Sequence, residues 1–156
     1  MTQQFILDEN IVILAQKGEN DKGERDPTCL QLFTQIIRIC HIIVLDPNLR
    51  ERYLQQLNLP RHHDPRSGFR LVPILINAER REGKVDNRPS NPAAFAEEGD
   101  IPQGSQDDVE IVRLAVETGA TLVTTDGKLR DDLNSCGVGE RYSLQVLSPE
   151  EALERL

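Results

Sequence analysis

The apolar positions of this chain fall into short continuous runs that alternate with helical stripes. Phe5, Ile6 and Leu7 stand between polar Thr2, Gln3 and Gln4 and acidic Asp8, the pattern of a buried strand that ends in an acid. An apolar helix follows over residues 10–16. The stretch KGENDKGERD, residues 17–26, is polar and has no period, so it reads as a surface loop. Pro27 suits a first helical turn, and Leu30, Phe33, Ile36, Ile37 and Cys40 make the stripe of a core-facing helix. Residues 41–45, HIIVL, form a second strand whose apolar run is continuous, as in strands buried on both faces. Asp46 and Pro47 look like the N-cap and first-turn proline of a third helix, PNLRERYLQQL.

The chain is organised around residues 106–129, QDDVEIVRLAVETGATLVTTDGKL. Val109, Val112, Ala115 and Val116 recur at helical spacing, Gly119 turns the chain, and Ala120, Leu122 and Val123 form a strand with β-branched Thr121, Thr124 and Thr125 around them. Acids lie at both ends of this αβ unit, Asp107 and Asp108 before the helix and Asp126 after the strand. A helix over KLRDDLNSCG, a candidate strand at residues 142–147 and a helix opening at Ser148-Pro149-Glu150-Glu151 complete the chain. Residues 58–105 are the least patterned. They hold a loop, NLPRHHDPRSG, then a helix from about Pro73 or, with Pro73 as a kink, from Ser67. A Pro-, Gly- and Asn-rich connection over residues 86–105 has the length of a flap over a substrate groove. His62, His63 and Asp64 lack the spacing of a metal-ligand set and read as loop.

Length and composition narrow the picture. At 156 residues the chain suits one domain, residues 1–156. Acids interrupt every apolar run before it reaches a membrane span, and MTQQ lacks the basic and apolar regions of a signal peptide, so a cytoplasmic protein is expected. Cys29, Cys40 and Cys136 are odd in number and widely spaced, as reduced thiols are. The net charge of -8 weighs against a nucleic-acid partner. Yet residues 50–88 carry nine Lys/Arg against five Asp/Glu, a local +4 that leaves -12 for the rest. A basic segment of this kind can serve RNA if it gathers on one face.

In an open parallel sheet the ligand crevice lies beyond the carboxyl ends of the strands, where both Asp8 and Asp126 would stand. Two carboxylates converging there about 4 Å apart would repel by roughly 4 kcal/mol at an effective dielectric near 20, a cost offset by a hard divalent cation or by one carboxyl staying protonated. Each acid can equally be a helix cap: Asp8 for the helix near Asn10, Asp126 for the helix after it, and Ser105 with Asp108 as a capping box.

FILDENIVILA, DDVEIVRLA and GATLVTTDGKL, in this order and spacing, resemble a PIN domain, the nuclease fold of many bacterial toxin ribonucleases and RNA-processing enzymes. The resemblance covers residues 5–15 and 106–133, the C-terminal strand loosely, and residues 58–105 poorly. It implies a three-layer α/β/α sandwich around a mainly parallel sheet of about five strands. It also implies hydrolysis of single-stranded RNA by a site that holds Mg2+ or Mn2+, with Asp8, Asp108 and Asp126 as catalytic metal ligands. Ala115, seven positions on, selects Asp108 over Asp107, which becomes a supporting acid beside Thr124. Where PIN domains place a second acid, just before an aromatic residue, this chain has Arg52 before Tyr53, and the nearest glutamate is Glu51. Either the register shifts by one and Glu51 is catalytic, or the acid is lost. Arg52, Arg61 and Lys128 are the candidate substrate-binding cations. By the same resemblance an antitoxin protein and a second copy of the chain are expected partners besides RNA. The alternative is a PIN-like module that binds RNA or a protein without cutting.

Overall fold

The structure, a computed structural model, describes residues 2–88, 108–135 and 137–156. Five parallel strands form one sheet: β1 Gln4–Leu7, β2 Ile42–Leu45, β3 Val85–Asn87, β4 Thr121–Val123 and β5 Val146–Leu147. Their order is β3-β2-β1-β4-β5. Central β1 pairs Gln4 with Ile42 of β2 on one side and Ile6 with Leu122 of β4 on the other. Phe5, Ile6 and Leu7 are buried on both faces, which is why this run does not alternate with polar residues.

Among the described residues the helices are α1 Glu9–Lys17, α2 Thr28–Arg38, α3 Pro47–Leu57, α4 Val72–Glu79, α5 Val109–Thr118, α6 Gly127–Ser135, α7 Val138–Arg141 and α8 Pro149–Glu154. Strands β1 to β3 step one way across the sheet and β4 to β5 the other. With right-handed crossovers, the reversal carries the helix that follows β3 to the opposite face. Accordingly α1, α2, α3 and α8 pack among themselves, while α5 packs on β4 and β1. The three-layer α/β architecture expected from the sequence is the one observed.

Local chemistry sets the boundaries. The Asp46 carboxylate accepts the Leu49 N–H at 2.7 Å and caps α3, and the Ser148 hydroxyl accepts the Glu151 N–H at 3.1 Å and caps α8. Gly119 closes α5 in the left-handed conformation, its N–H returning to the Ala115 carbonyl. Pro27 sits one place before α2, where Asp26 accepts the Thr28 N–H at 2.9 Å. Residues 17–26 make a closed turn: Glu19 and Arg25 pair as an antiparallel bridge, and Asn20 Oδ1 accepts the Lys22 and Glu24 N–H groups.

Other expectations change. Pro73 lies in the first turn of α4, so no longer helix from Ser67 exists. The connection expected from residue 86 begins instead with β3, whose Val85, Asp86 and Asn87 pair with β2. The remainder of that connection, residues 89–105, lies outside the described residues, and the flap expectation with it. The candidate strand 142–147 contracts to Val146–Leu147, and α7 was not expected. His62 closes a 3-10 turn, Pro60–His62, with Nδ1 2.8 Å from the Gln56 carbonyl, as befits a loop residue. This loop is tied to α1 by buried Gln16, whose Nε2 donates to Leu57 and His62 carbonyls and whose Oε1 accepts the Leu71 N–H, each at 2.9 Å.

Candidate active site at the carboxyl edge of the sheet

Strand succession reverses between β1 and β4, the position at which open α/β sheets form a crevice. Asp8 follows β1, and its N–H donates to the Val123 carbonyl at 2.9 Å, extending the β1–β4 ladder by one residue. Its carboxylate is buried, and Oδ2 accepts the Thr124 hydroxyl at 2.9 Å. That same hydroxyl oxygen accepts the Asp126 N–H at 3.1 Å. One threonine thus joins the ends of both strands. Asp8 stands at the N-cap of α1 without a side-chain bond of full capping geometry, while the Glu9 and Asn10 backbone N–H groups of the first turn favour its charged carboxylate. Asp126 does cap: it is exposed, and Oδ1 accepts the Leu129 N–H at 3.1 Å at the start of α6.

Helix α3 is docked on this edge through Tyr53. The ring is fully buried and its hydroxyl donates to the Leu7 carbonyl, one residue before Asp8. Its neighbour Arg52 is half-buried and close enough for its charge to act on Asp8. Glu51 is exposed, with Oε1 accepting from Gln55 Nε2 at 3.3 Å. One helical step turns a side chain by about 100°. So the α3 charge that acts on Asp8 is that of Arg52, while Glu51 is turned towards Gln55.

Electrostatics follow from this arrangement. Burial raises the Asp8 pKa above the usual carboxylate range, opposed first by the Thr124 hydrogen bond, then by the Glu9 backbone N–H, and more weakly by the Arg52 charge and the Asn10 backbone N–H. Burial likewise pushes the Tyr53 phenol far up, with the Asp8 charge adding to it. Among the described residues, the charge that acts on Asp8 is the Arg52 cation.

Asp108 stands just before α5, half-buried, and its side chain does not cap the helix. Asp107 and Ser105 lie outside the described residues. Among the described residues no three His, Cys, Asp or Glu side chains are grouped closely enough to hold a metal ion, so Asp8, Asp108 and Asp126 do not form the expected trio by themselves. A magnesium ion, however, is commonly held by one or two carboxylates, with water and substrate phosphate completing its shell. Asp8 and Asp126 have the oxygen donors for that mode, and burial disfavours the Asp8 charge until a cation offsets it.

Of the expected substrate-binding cations, Lys128 is exposed in the first turn of α6, close in sequence to Asp126. Arg61 is exposed in the turn after α3, next to the residue that bonds Gln16 near the end of α1. That is the opposite end of both helices from Asp8, so Arg61 is not brought to this edge. Much of the basic segment is engaged elsewhere: Arg50 with Glu79 at 2.7 Å, Arg88 with Asp86 at 2.9 Å, and Lys84 with the Ile39 carbonyl. Arg130 reaches this edge without a signal in the sequence, where it reads as a surface counter-charge to Asp131 and Asp132. It is half-buried, its backbone N–H makes the helical bond to the Asp126 carbonyl at 3.2 Å, and its side-chain Nη2 lies 3.6 Å from where a β-carbon on Gly127 would stand. The side chain folds back towards the N-terminus of α6, the usual direction on a helix.

No protein-family model matches the sequence, and no curated protein matches it. Among solved structures, the chain is similar to a PilT N-terminus (PIN) domain protein from the hyperthermophilic archaeon Sulfolobus solfataricus P2, at 14% identity and a TM-score of 0.44, over 98% of this chain and 92% of that one. The fold described above rests on the strand pairings themselves.

Proposed function

We propose that this chain is a metal-dependent endoribonuclease acting on single-stranded RNA at the carboxyl edge of its sheet. The observation that supports this reading is the hydrogen-bonded run from Asp8 through Thr124 to Asp126, set where the strand order reverses. Asp8 and Asp126, joined by Asp108 at the start of α5, would hold Mg2+ or Mn2+, which when bound lowers the pKa of a water and stabilises charge on a phosphodiester. Thr124 fixes one oxygen of Asp8 and so sets which oxygen is presented outward. Lys128 and Arg52 would meet backbone phosphates. A place as the toxin of a toxin–antitoxin pair, with an antitoxin covering this edge, and a homodimer belong to the same proposal through the resemblance noted in the sequence.

A second reading has its own observation. Arg52 stands where the resemblance asks for an acid, and its charge acts on Asp8. This favours a module that binds RNA or a protein without cutting it.

The test is cleavage of a mixed-sequence single-stranded RNA with manganese, with magnesium and with chelator, by wild type, Asp8→Asn and Asp126→Asn. Cutting that needs metal and disappears in both variants is the expected result. Folded wild type that binds RNA but leaves it whole in every condition would reject the nuclease reading in favour of the second.

A further inference from the structure

Two guanidinium groups on helices that begin at the carboxyl edge have sealed nitrogens with no acceptor among the described residues. Arg52 Nε and Arg130 Nη1 are buried and have no hydrogen-bond acceptor among the described residues. Neither side chain makes an ion pair there. Burying a charged donor without an acceptor is destabilising, and native structures keep few such groups. Both residues are half-buried as a whole. Their positions are fixed independently: Arg52 by Tyr53, which anchors α3 at the Leu7 carbonyl, and Arg130 by its fold-back over Gly127 beside Asp126. These helices follow different strands, α3 after β2 and α6 after β4, and both begin at the edge that holds Asp8 and Thr124.

We propose that Arg52 and Arg130 form a phosphate clamp that seats a backbone phosphate of an RNA strand at this edge without needing a metal ion. A phosphate offers several acceptor oxygens to the planar fork of each arginine, which matches it in a bidentate fashion, and a guanidinium is less strongly hydrated than a lysine ammonium. The clamp gives Arg52 a role that an acid at its position could not have: it attracts the substrate rather than a cation. The inference rests on the proposed function for the nature of the nucleic acid and is independent of it for metal and cleavage.

The experiment is binding of a short, labelled single-stranded RNA in chelator, followed by fluorescence anisotropy across a salt series. Wild type is compared with Arg52→Met, Arg130→Met, the two Arg→Lys variants, and Arg80→Met as a control that removes an exposed charge at the end of α4. Each methionine variant at the edge should weaken binding about tenfold or more, as loss of a charged hydrogen bond does. Each should also flatten the logarithmic salt slope by about 0.7. The lysine variants should recover the slope but only part of the affinity. Inorganic phosphate should compete with the RNA, and Arg80→Met should bind like wild type. The clamp is overturned if folded edge variants bind like wild type in chelator, if Arg80→Met weakens binding as much as they do, or if wild type binds only with metal. Should a methionine variant fail to fold, its lysine counterpart decides through the gap between charge and affinity. Metal-dependent cleavage with unchanged binding by the edge variants would sink the clamp and leave the nuclease. Arginine-dependent binding in chelator, with no cleavage under any metal, would do the reverse.

Discussion

The Thr124 hydroxyl donates to Asp8 Oδ2 at 2.9 Å between side chains 116 positions apart, both buried. Because the same oxygen accepts the Asp126 N–H, removing it orphans an acceptor and a donor together. Thr124→Val keeps the shape of the side chain and should destabilise the protein by about 1–3 kcal/mol in urea unfolding. Thr124→Ser keeps both bonds and should lose less. Equal losses would mean that packing of the methyl, not the hydroxyl, is what matters.

Asp8 should give stability an unusual pH dependence. Burial holds its folded pKa above the ordinary value of 3.8. Between those two values the native state keeps a proton that the unfolded chain has released, so stability falls as pH rises through the window and stays lower above it. Asp8→Asn removes this penalty and retains an acceptor for Thr124. Measured as the difference from wild type, the variant should gain stability on going from about pH 3 to about pH 7. The gain should be about 1.4 kcal/mol for every tenfold difference in the acidity of this carboxyl between the folded and unfolded chain. A difference that stays flat with pH would show that burial does not penalise this carboxylate.

At Asp126, structure and chemistry can be separated. Its carboxylate caps α6, and asparagine caps a helix about as well as aspartate, whereas alanine does not. Asp126→Ala should therefore lose about 1 kcal/mol in thermal or urea unfolding, and Asp126→Asn should lose little. On the proposed function both should lose cleavage. An asparagine variant that still cuts RNA would reduce this residue to its capping role.

The thiols differ in reactivity. Cys29 is buried and its pKa is pushed up to about 12, chiefly by burial, while Cys40 is exposed. Near pH 8, alkylation followed by peptide mapping should label Cys40 within minutes and leave Cys29 unmodified until the protein is unfolded. Rapid labelling of Cys29 in folded protein would mean that α2 opens readily.

The sequence was readable wherever a signal is local. The continuous runs before Asp8 and Asp46 announce buried strands, and Asp46 and Ser148 announce caps, because each depends on residues within a turn of itself. Strand β3 could not be read that way. Asp86 and Asn87 are poor strand formers, and their conformation is set by pairing with Val44 and Leu45. The same division runs through the site. Asp8, Thr124 and Asp126 follow from the ends of two legible strands. The choice between Glu51 and Arg52 waited on the rotation of α3, which is fixed by a tyrosine reaching a carbonyl on another element. Arg130 looked like one more solvated charge because nothing near it in sequence tells which way its side chain folds.

The central place of β1 has a consequence for how the chain is made. Its first neighbour, β2, is complete by residue 45, but its second, β4, begins only at residue 121. At synthesis rates of roughly 5–20 residues per second, the span of 116 positions between Asp8 and Thr124 takes roughly 6–23 s to emerge. Throughout that interval the central strand of the sheet has one edge open to any extended segment nearby. The bond between Thr124 and Asp8, which ties the two strand ends together at the carboxyl edge, is thus among the last contacts of the sheet's centre that a growing chain can make.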